Sequence, residues 1–285
     1  MTTGLCRKCG LLLDSWLTDQ GAEYHTMRCW PDHLPLPETG ITPYDMEVKE
    51  ELIEIIQWAD QNSERSKQVG LGASEVGMEC ARRLAYRMAS IPSLHRRMDG
   101  WPAIVGTSIH AWMEMAVNRF QEAHKGETHW FTEMQVLANP LIKGHTDLYE
   151  ARRGLVLDWK FPSTDNLKKM IKEGWSQQYR IQAHLYGKGH VNAGRKVERV
   201  GVIAIGRQGS LKTVYCKTEP YDESVAQWAI DRVYKLGDFL ISKDVAANPG
   251  IFDEVPATPS RLCGYCPWWN RNMMSGASDK GCPGA

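Results

Sequence analysis

Gly144-His145-Thr146-Asp147-Leu148-Tyr149-Glu150-Ala151-Arg152-Arg153-Gly154-Leu155-Val156-Leu157-Asp158-Trp159-Lys160 decides the fold. Two runs with strand character flank a polar turn. Side chains alternate along a strand, so Asp158 and Lys160 share one face while Leu155, Leu157 and Trp159 share the other. With a loop of Arg152-Arg153, or of the four residues Ala151 to Gly154, antiparallel pairing sets Asp147 opposite Asp158. Opposed residues have Cβ atoms roughly 4.5–5.5 Å apart, close enough for two carboxylates to share a divalent cation. A three-residue loop with a bulge at Gly154 would slip the register and turn Asp147 to the wrong face. The even loop is the expectation adopted.

Working outward, Ala103 to His124 carries Ile104, Ile109, Trp112, Met113, Ala116, Val117 and Phe120 at helical spacing. His110 lies within it as either a structural histidine or a metal ligand. Gly106, one turn earlier, favours the ligand, because glycine lets a helix approach a sheet closely at some cost in propensity. A strand near Trp130 to Leu137 precedes the hairpin and holds Glu133 as a reserve acid. Beyond Phe161-Pro162, a short helix from Asp165 to Glu173 leads into a longer one from Trp175 to His190. There Gln178, Gln182 and Tyr186 fall four apart in one polar stripe, functional or simply solvated. Val200 to Arg207 and Ser210 to Lys217 read as a second hairpin turning at Arg207 to Ser210, with Cys216 as a packing residue. Asp222 to Ser242 has helical spacing. Upstream, residues 44–62 make an amphipathic helix through Met46, Leu52, Ile55 and Ile56, and Asn62 to Gly72 a linker. A further helix starts at Ser74 and runs through Cys80, Arg82, Arg83 and Tyr86.

Formal charge is zero, which excludes the global basic field of a coat-like or histone-like nucleic-acid binder. It leaves room for an enzyme whose carboxylates offset local basic patches. No apolar run approaches a membrane span, and the first residues, Met1 to Cys6, hold no secretory stretch. The expected compartment is the cytoplasm. The eight cysteines then read as metal ligands rather than disulfides. Cys6-x2-Cys9 stands about fifteen residues before His25-x3-Cys29, the spacing of a tetrahedral zinc site, with His33 as a rival fourth ligand. Zinc would replace the core that about forty residues cannot supply. At the other end, Cys263-x2-Cys266 and Cys282 need a fourth thiol. Cys80 is the unassigned candidate, although a lone cysteine is commonly a small buried hydrophobe.

Four signals fall in order along the chain: Gly106-x3-His110, Gly144-x2-Asp147, Asp158-x-Lys160 and Gln182-x3-Tyr186. Together they resemble the RecB-type branch of the PD-(D/E)xK nucleases. The small stand-alone members look most similar, namely the CRISPR-associated four-cysteine exonucleases and the phage RecB-like exonucleases. The resemblance covers roughly residues 73–285. It implies an α/β fold with a restriction-endonuclease-like core: a mixed central sheet, with an antiparallel hairpin, flanked by helices. An N-terminal zinc module and a cysteine-clustered terminal subdomain would be added to it. The resemblance also implies a [4Fe–4S] cluster on Cys80, Cys263, Cys266 and Cys282, because those families place one cysteine before the nuclease motifs and three at the C-terminus. Their last two cysteines stand close together, whereas fifteen residues separate Cys266 from Cys282 here. Four thiolates would equally hold zinc.

By resemblance and strand geometry, Asp147 and Asp158 bind Mg²⁺ or Mn²⁺, His110 supplies a nitrogen and the backbone carbonyl of Trp159 completes the set. A histidine ligand tilts the preference towards Mn²⁺. Lys160 orients a water or stabilises the developing oxyanion, and Gln182 and Tyr186 hold the water, Lys160 or the phosphate. The expected activity is that of a metal-dependent DNA exonuclease acting on free ends, in recombination, repair or phage DNA processing. A structure- or sequence-specific endonuclease and an inactive nucleic-acid-binding adaptor are the alternatives. Arg82, Arg83, Arg152 and Arg153 are phosphate contacts or solvated charges. Residues 1–40 are expected to form the zinc module, a place for a protein partner, and 41–72 a helical connector and linker. Residues 73–285 form the nuclease domain, in which 73–100 and 245–285 make the iron–sulfur subdomain. Joining Cys80 to Cys263 would close a loop of about 180 residues, so the cluster reads as a structural clip.

Overall fold

The computed structural model describes residues 40–62, 70–94, 100–124, 129–208, 210–245, 248–258, 260–270 and 281–284. The chain divides into two units, Met1–Trp58 and Ala59–Ala285. Helix α1 (Pro43–Gln61) begins in the first. Thr42 and Asp45 cap its start, Thr42 N–H donating to Asp45 Oδ2 at 2.7 Å.

The second unit is built on one mixed sheet. Its strands are β1 (Leu71–Gly72), β2 (Trp130–Asn139), β3 (Ile142–Glu150), β4 (Leu155–Lys160), β5 (Arg199–Ala204) and β6 (Tyr215–Pro220). They run in the order β1-β3-β4-β5-β6, with β2 on the other edge of β3. The helices are α2 (Ala73–Val76), α3 (Ala81–Met88), α4 (Trp101–Ala123), α5 (Thr164–Glu173), α6 (Gln177–Asn192) and α7 (Glu223–Ser242). α4 covers one face, packing Ile109, Met113 and Val117 on Leu148, Leu157, Trp159 and Phe161. α6 covers the other, with Ile181, Leu185 and Tyr186 against Val136, Tyr149, Val156 and Val200, and Ala229 and Val233 of α7 in the same cluster. Each fully buried Val or Leu here contributes about 1.5–3 kcal/mol.

The hairpin loop is even. Leu148, Tyr149 and Glu150 pair with Leu157, Val156 and Leu155, leaving the four residues 151–154 as the loop. Gly154 closes it at φ 58, in the left-handed region, and a Cβ there would stand 3.0 Å from the Glu198 nitrogen. Continued by one step, this register sets Asp147 across from Asp158. The ladder itself stops short of that pair. On the edge of β3 away from β2, β1 pairs in parallel with Ile142 and Lys143, and β4 pairs only from Leu148 onward. Residues 144–147 therefore lie in a fork between β1 and β4.

Beside the fork the sheet turns over. Thr132 and Leu148 face α4: Thr132 Oγ1 donates to Asn118 at 3.1 Å, and Leu148 packs among the α4 residues. Met134 and Thr146, two positions along, face α6: Met134 packs in the α6 cluster and Thr146 meets His190. Residues two apart share a face in a regular strand. Here they do not, and the intervening Glu133 has φ 48. The flanking pairs Thr132↔Leu148 and Met134↔Thr146 stay in register, so the kink falls on Glu133 and Asp147 together.

Several expectations are corrected. The helix from Ser74 through Tyr86 is two helices, α2 and α3, because the Arg232 guanidinium takes the carbonyls of Val76, Met78 and Glu79 that a continuous helix would use. Leu71 and Gly72 belong to β1 rather than to a linker. The paired part of the second hairpin is shorter than expected at its turn end. β5 and β6 pair from Arg199↔Pro220 to Ala204↔Tyr215, so residues 205–214 connect them, with Arg207 tied back to Phe161 and Pro162 and a 3₁₀ turn at Leu211–Thr213. Cys216 does not pack; it is exposed on β6.

Candidate active site

Asp147 reaches the fork from β3. Its Oδ2 accepts the Trp159 N–H at 2.6 Å, standing where a ladder carbonyl would otherwise be, and its Oδ1 lies 3.2 Å from His110 Nδ1 on α4. Asp158 on β4 faces α6 and is 4% exposed. Its Oδ1 accepts from Gln182 Nε2 at 3.0 Å, and its buried Oδ2 pairs with the Lys160 ammonium. Lys160 Nζ donates to Gln182 Oε1 at 3.2 Å and sits 4.8 Å from the centre of the Tyr179 ring. Gln182 Nε2 also donates to Tyr186 Oη at 3.0 Å. An ammonium can only donate and a carboxylate only accept, so the amide of Gln182 has one orientation. Gln178, the third member of the stripe, serves elsewhere: its Nε2 donates to the Ser74 carbonyl at 2.8 Å.

Two neighbours hold this frame. A Cβ on Gly144 would stand 2.7 Å from Tyr186 Cε1, so the glycine three residues before Asp147 makes room for the tyrosine four residues after Gln182. His190 is fully buried, its Nδ1 accepting from Arg195 Nε at 2.8 Å and its Nε2 3.2 Å from Thr146 Oγ1. Because arginine can only donate, the imidazole is neutral and carries its proton on Nε2, towards the residue before Asp147. Gly106 does not act as expected. A Cβ there would meet no described atom within 4 Å, so no close approach of helix to sheet requires it.

The site is electrostatically crowded. Burial raises the Asp158 carboxyl well above its usual range; Lys160 opposes this and Asp147 adds to it. Burial works against the Lys160 ammonium, but Asp158 and Asp147 outweigh it and keep the group charged. Burial likewise disfavours the His110 imidazolium, yet the hydrogen bond and charge of Asp147, with Asp158 behind, raise its pKa. Burial and the Asp158 charge push the Tyr186 phenol far up, so it acts only as a neutral hydroxyl.

His110, Glu133 and Asp147 offer one ligand atom each, all within 4.8 Å of one another. Opposite ligands of Mg²⁺ lie about 4.2 Å apart, twice a bond of roughly 2.1 Å, so small side-chain movements bring this set onto one ion. Glu133 was legible only as a reserve acid, and its place beside Asp147 depends on the kink. Tyr179 was missed altogether. Its position three residues before Gln182, on the same face of α6, was the available signal.

The cysteines also gather. Cys80, Cys263, Cys266 and Cys282 line one cavity of about 130 Å³. Cys80 caps α3, its Sγ accepting from Arg83 N–H at 3.5 Å. Although Cys282 is distant in sequence from Cys266, its N–H donates to the Trp268 carbonyl at 2.6 Å and its carbonyl accepts from Asn270 at 2.8 Å. Tyr86 stacks on Phe252 and Trp268 beneath them. Of the arginines, Arg82 is engaged structurally with the Val255 and Asp253 carbonyls and the Asp253 carboxylate. Arg83 lines the cysteine cavity, and Arg152 and Arg153 pair with Glu150. Cys6, Cys9, His25, Cys29 and His33 lie outside the described residues.

Residues 29–271 match the family model described as the PD-(D/E)XK nuclease superfamily. The chain belongs to that superfamily. Among solved structures it is similar to the alkaline exonuclease LHK-Exo of Laribacter hongkongensis, at 11% identity over 63% of this chain and 91% of that one, with a TM-score of 0.41. It is also similar to the protein SSO0001, at 16% identity over 83% of this chain and 97% of that one, with a TM-score of 0.45. No curated protein matches. No helix among the described residues is long and apolar enough to cross a membrane.

Proposed function

We propose that the protein is a metal-dependent DNA exonuclease. One observation carries this reading: the fork brings Asp147, Asp158 and Lys160 together with His110, Gln182 and Tyr186 in a single connected site. The donor set suits Mg²⁺ or Mn²⁺. Asp147 and Asp158 would hold the ion with the Trp159 carbonyl, and the His110 nitrogen favours Mn²⁺. When bound, such an ion supplies a Lewis acid and lowers the pKa of an attached water. Lys160, charged and desolvated, stabilises negative charge developing on the phosphoryl oxygens. Gln182 fixes both Asp158 and Lys160, and Tyr186 fixes Gln182. Tyr179 lies beneath the ammonium and limits its movement.

Action at free ends rests on the RecB-type resemblance, as do roles in recombination, repair or phage DNA processing. The cysteine cavity is read as the place of a structural [4Fe–4S] cluster, supported by four thiols around one space. The N-terminal Cys6, Cys9, His25 and Cys29 are read as a zinc site and a place for a protein partner. End-labelled linear duplex and covalently closed circular DNA, each incubated with Mn²⁺, test the activity. Loss of label from the linear DNA with the circle intact is expected, and cutting of the circle would overturn the exonuclease reading. Metal analysis with a visible spectrum tests the cluster: a colourless protein holding only zinc would contradict it.

A further inference from the structure

Beyond the site, β2 and β3 run on as an open floor. Gly144 lies against the Tyr186 ring and Thr146 against His190, while Val136 and Ala138 pack in the α6 cluster. The residues between them, Gln135, Leu137, Lys143 and His145, therefore face the other way, and all four are exposed. Helix α4 packs on Leu148, Leu157, Trp159 and Phe161 and leaves them uncovered. Nor does β1 crowd the floor, because its residue beside Lys143 is Gly72.

The floor has two rows. On β3, Lys143 and His145 follow one another at a step of about 6.7 Å, and the next step is Asp147. That step is close to the spacing of successive phosphates along a nucleic-acid strand. On β2 their directly opposed partners are Leu137 and Gln135, one apolar and the other an uncharged amide. Opposed Cβ atoms stand roughly 4.5–5.5 Å apart, so a backbone on one row brings its sugars and bases over the other. No hydrogen bond or ion pair joins Lys143 or His145 to another described residue. Other cations are committed: Arg152 and Arg153 to Glu150, and Arg82 to Asp253 and Val255.

We infer that Lys143 and His145 hold the two DNA phosphates next to the one that is cut, with the sugars and bases over Gln135 and Leu137. His145 takes the first through a ring N–H, which an imidazole carries in either tautomer. Lys143 takes the second as a point charge. Such contacts fix the register of a strand without reading its sequence. The inference rests on the nuclease reading of the fork and adds to it the path of the strand being cut.

Binding of single-stranded oligothymidylate to the full chain in Ca²⁺, read by fluorescence anisotropy, tests the row. A neutral methylphosphonate replaces the first or the second phosphate inward of the terminal linkage, at one end or the other. At one of the two ends, each replacement should weaken binding by the unsubstituted protein about tenfold. Lys143→Gln should weaken binding of the unmodified strand to a similar extent and lower its salt slope by about 0.7, the share of one single-strand phosphate. In that variant the second replacement should cost nothing further while the first still does, and in His145→Gln the reverse. Lys235→Gln, at an exposed position on α7, should match the unsubstituted protein, and thermal melting checks that every variant is folded. Unchanged affinity in Lys143→Gln, an equal loss in Lys235→Gln, or additive losses at both phosphates would overturn the row. The nuclease reading fails separately, if the unsubstituted protein with Mn²⁺ binds the unmodified strand and leaves it intact.

Discussion

The β3–β4 hairpin carries a buried acid at each end, Glu150 beside the closed loop and Asp158 at the open fork. Glu150 is fully buried, and its Oε2 accepts from the Arg153 N–H at 2.7 Å and from Arg153 Nε at 3.0 Å, with Arg152 Nε 3.5 Å from Oε1. Burial opposes its ionisation, but the hydrogen bonds and charge of Arg153, with Arg152, hold its pKa below the usual value. Asp158 is buried to a similar degree, and its pKa moves the other way: burial raises it, the Asp147 charge adds to that, and Lys160 with His110 only partly offsets them. Burial is common to both ends; completeness of partners is not. Glu150 closes a turn. Asp158 belongs to an arrangement whose acids are only partly offset by Lys160 and His110, and a divalent ion would balance it further.

Lys160→Met tests the open end most severely. Removing a donor aimed at developing negative charge should slow DNA digestion by on the order of a thousandfold. Mn²⁺ binding should survive, because Asp158 and Asp147 remain. Retained activity in that variant would break the contrast between the two ends.

The frame behind the fork should show a pH dependence set by His190, whose pKa burial lowers to about 4, Arg195 adding to the effect. The native state binds fewer protons here than the unfolded chain, whose histidines titrate near 6.5, so stability is complete above that value. It should be lost as the pH falls from about 6.5 to about 4, by up to roughly 3 kcal/mol. Urea unfolding at intervals across that window, for the protein and for His190→Asn, measures it. An equal slope in both would remove His190 as the cause.

At the closed end, Glu150→Gln should cost about 2 kcal/mol of stability, the worth of charge-assisted hydrogen bonds in a buried place, and leave the digestion rate unchanged. The ion pairs add little, because Arg152 and Arg153 are more than half exposed. The smallest effect is expected at Gly106. With no described atom in the way, Gly106→Ala should raise stability by about 1 kcal/mol, the propensity difference in a helix interior. Thermal melting reads this directly.

Part of the site could be read from residues 144–160 because register is local: an even loop sets Asp147 at the position across from Asp158, although the turn-over at Glu133 and Asp147 breaks the simple alternation of faces. Helical spacing likewise placed Gln182 and Tyr186 on one side of α6. The features that escaped depend on distant partners. Nothing near Glu133 announces a left-handed glutamate, since the kink arises where β2 and β3 turn over together. The break between α2 and α3 is made by Arg232, far along the chain. Gly144 was legible as part of a motif, but its reason, the Tyr186 ring against its α-carbon, is visible only in the folded protein.

A hydrolytic metal site at the fork loses its activity when either its metal or its buried acid is removed. Its most direct test is the digestion of end-labelled linear duplex DNA by the protein and by Asp158→Ala, with Mn²⁺ and with chelator. Release of label is expected only from the unsubstituted protein and only with the metal present. Digestion by Asp158→Ala at the unsubstituted rate would contradict it.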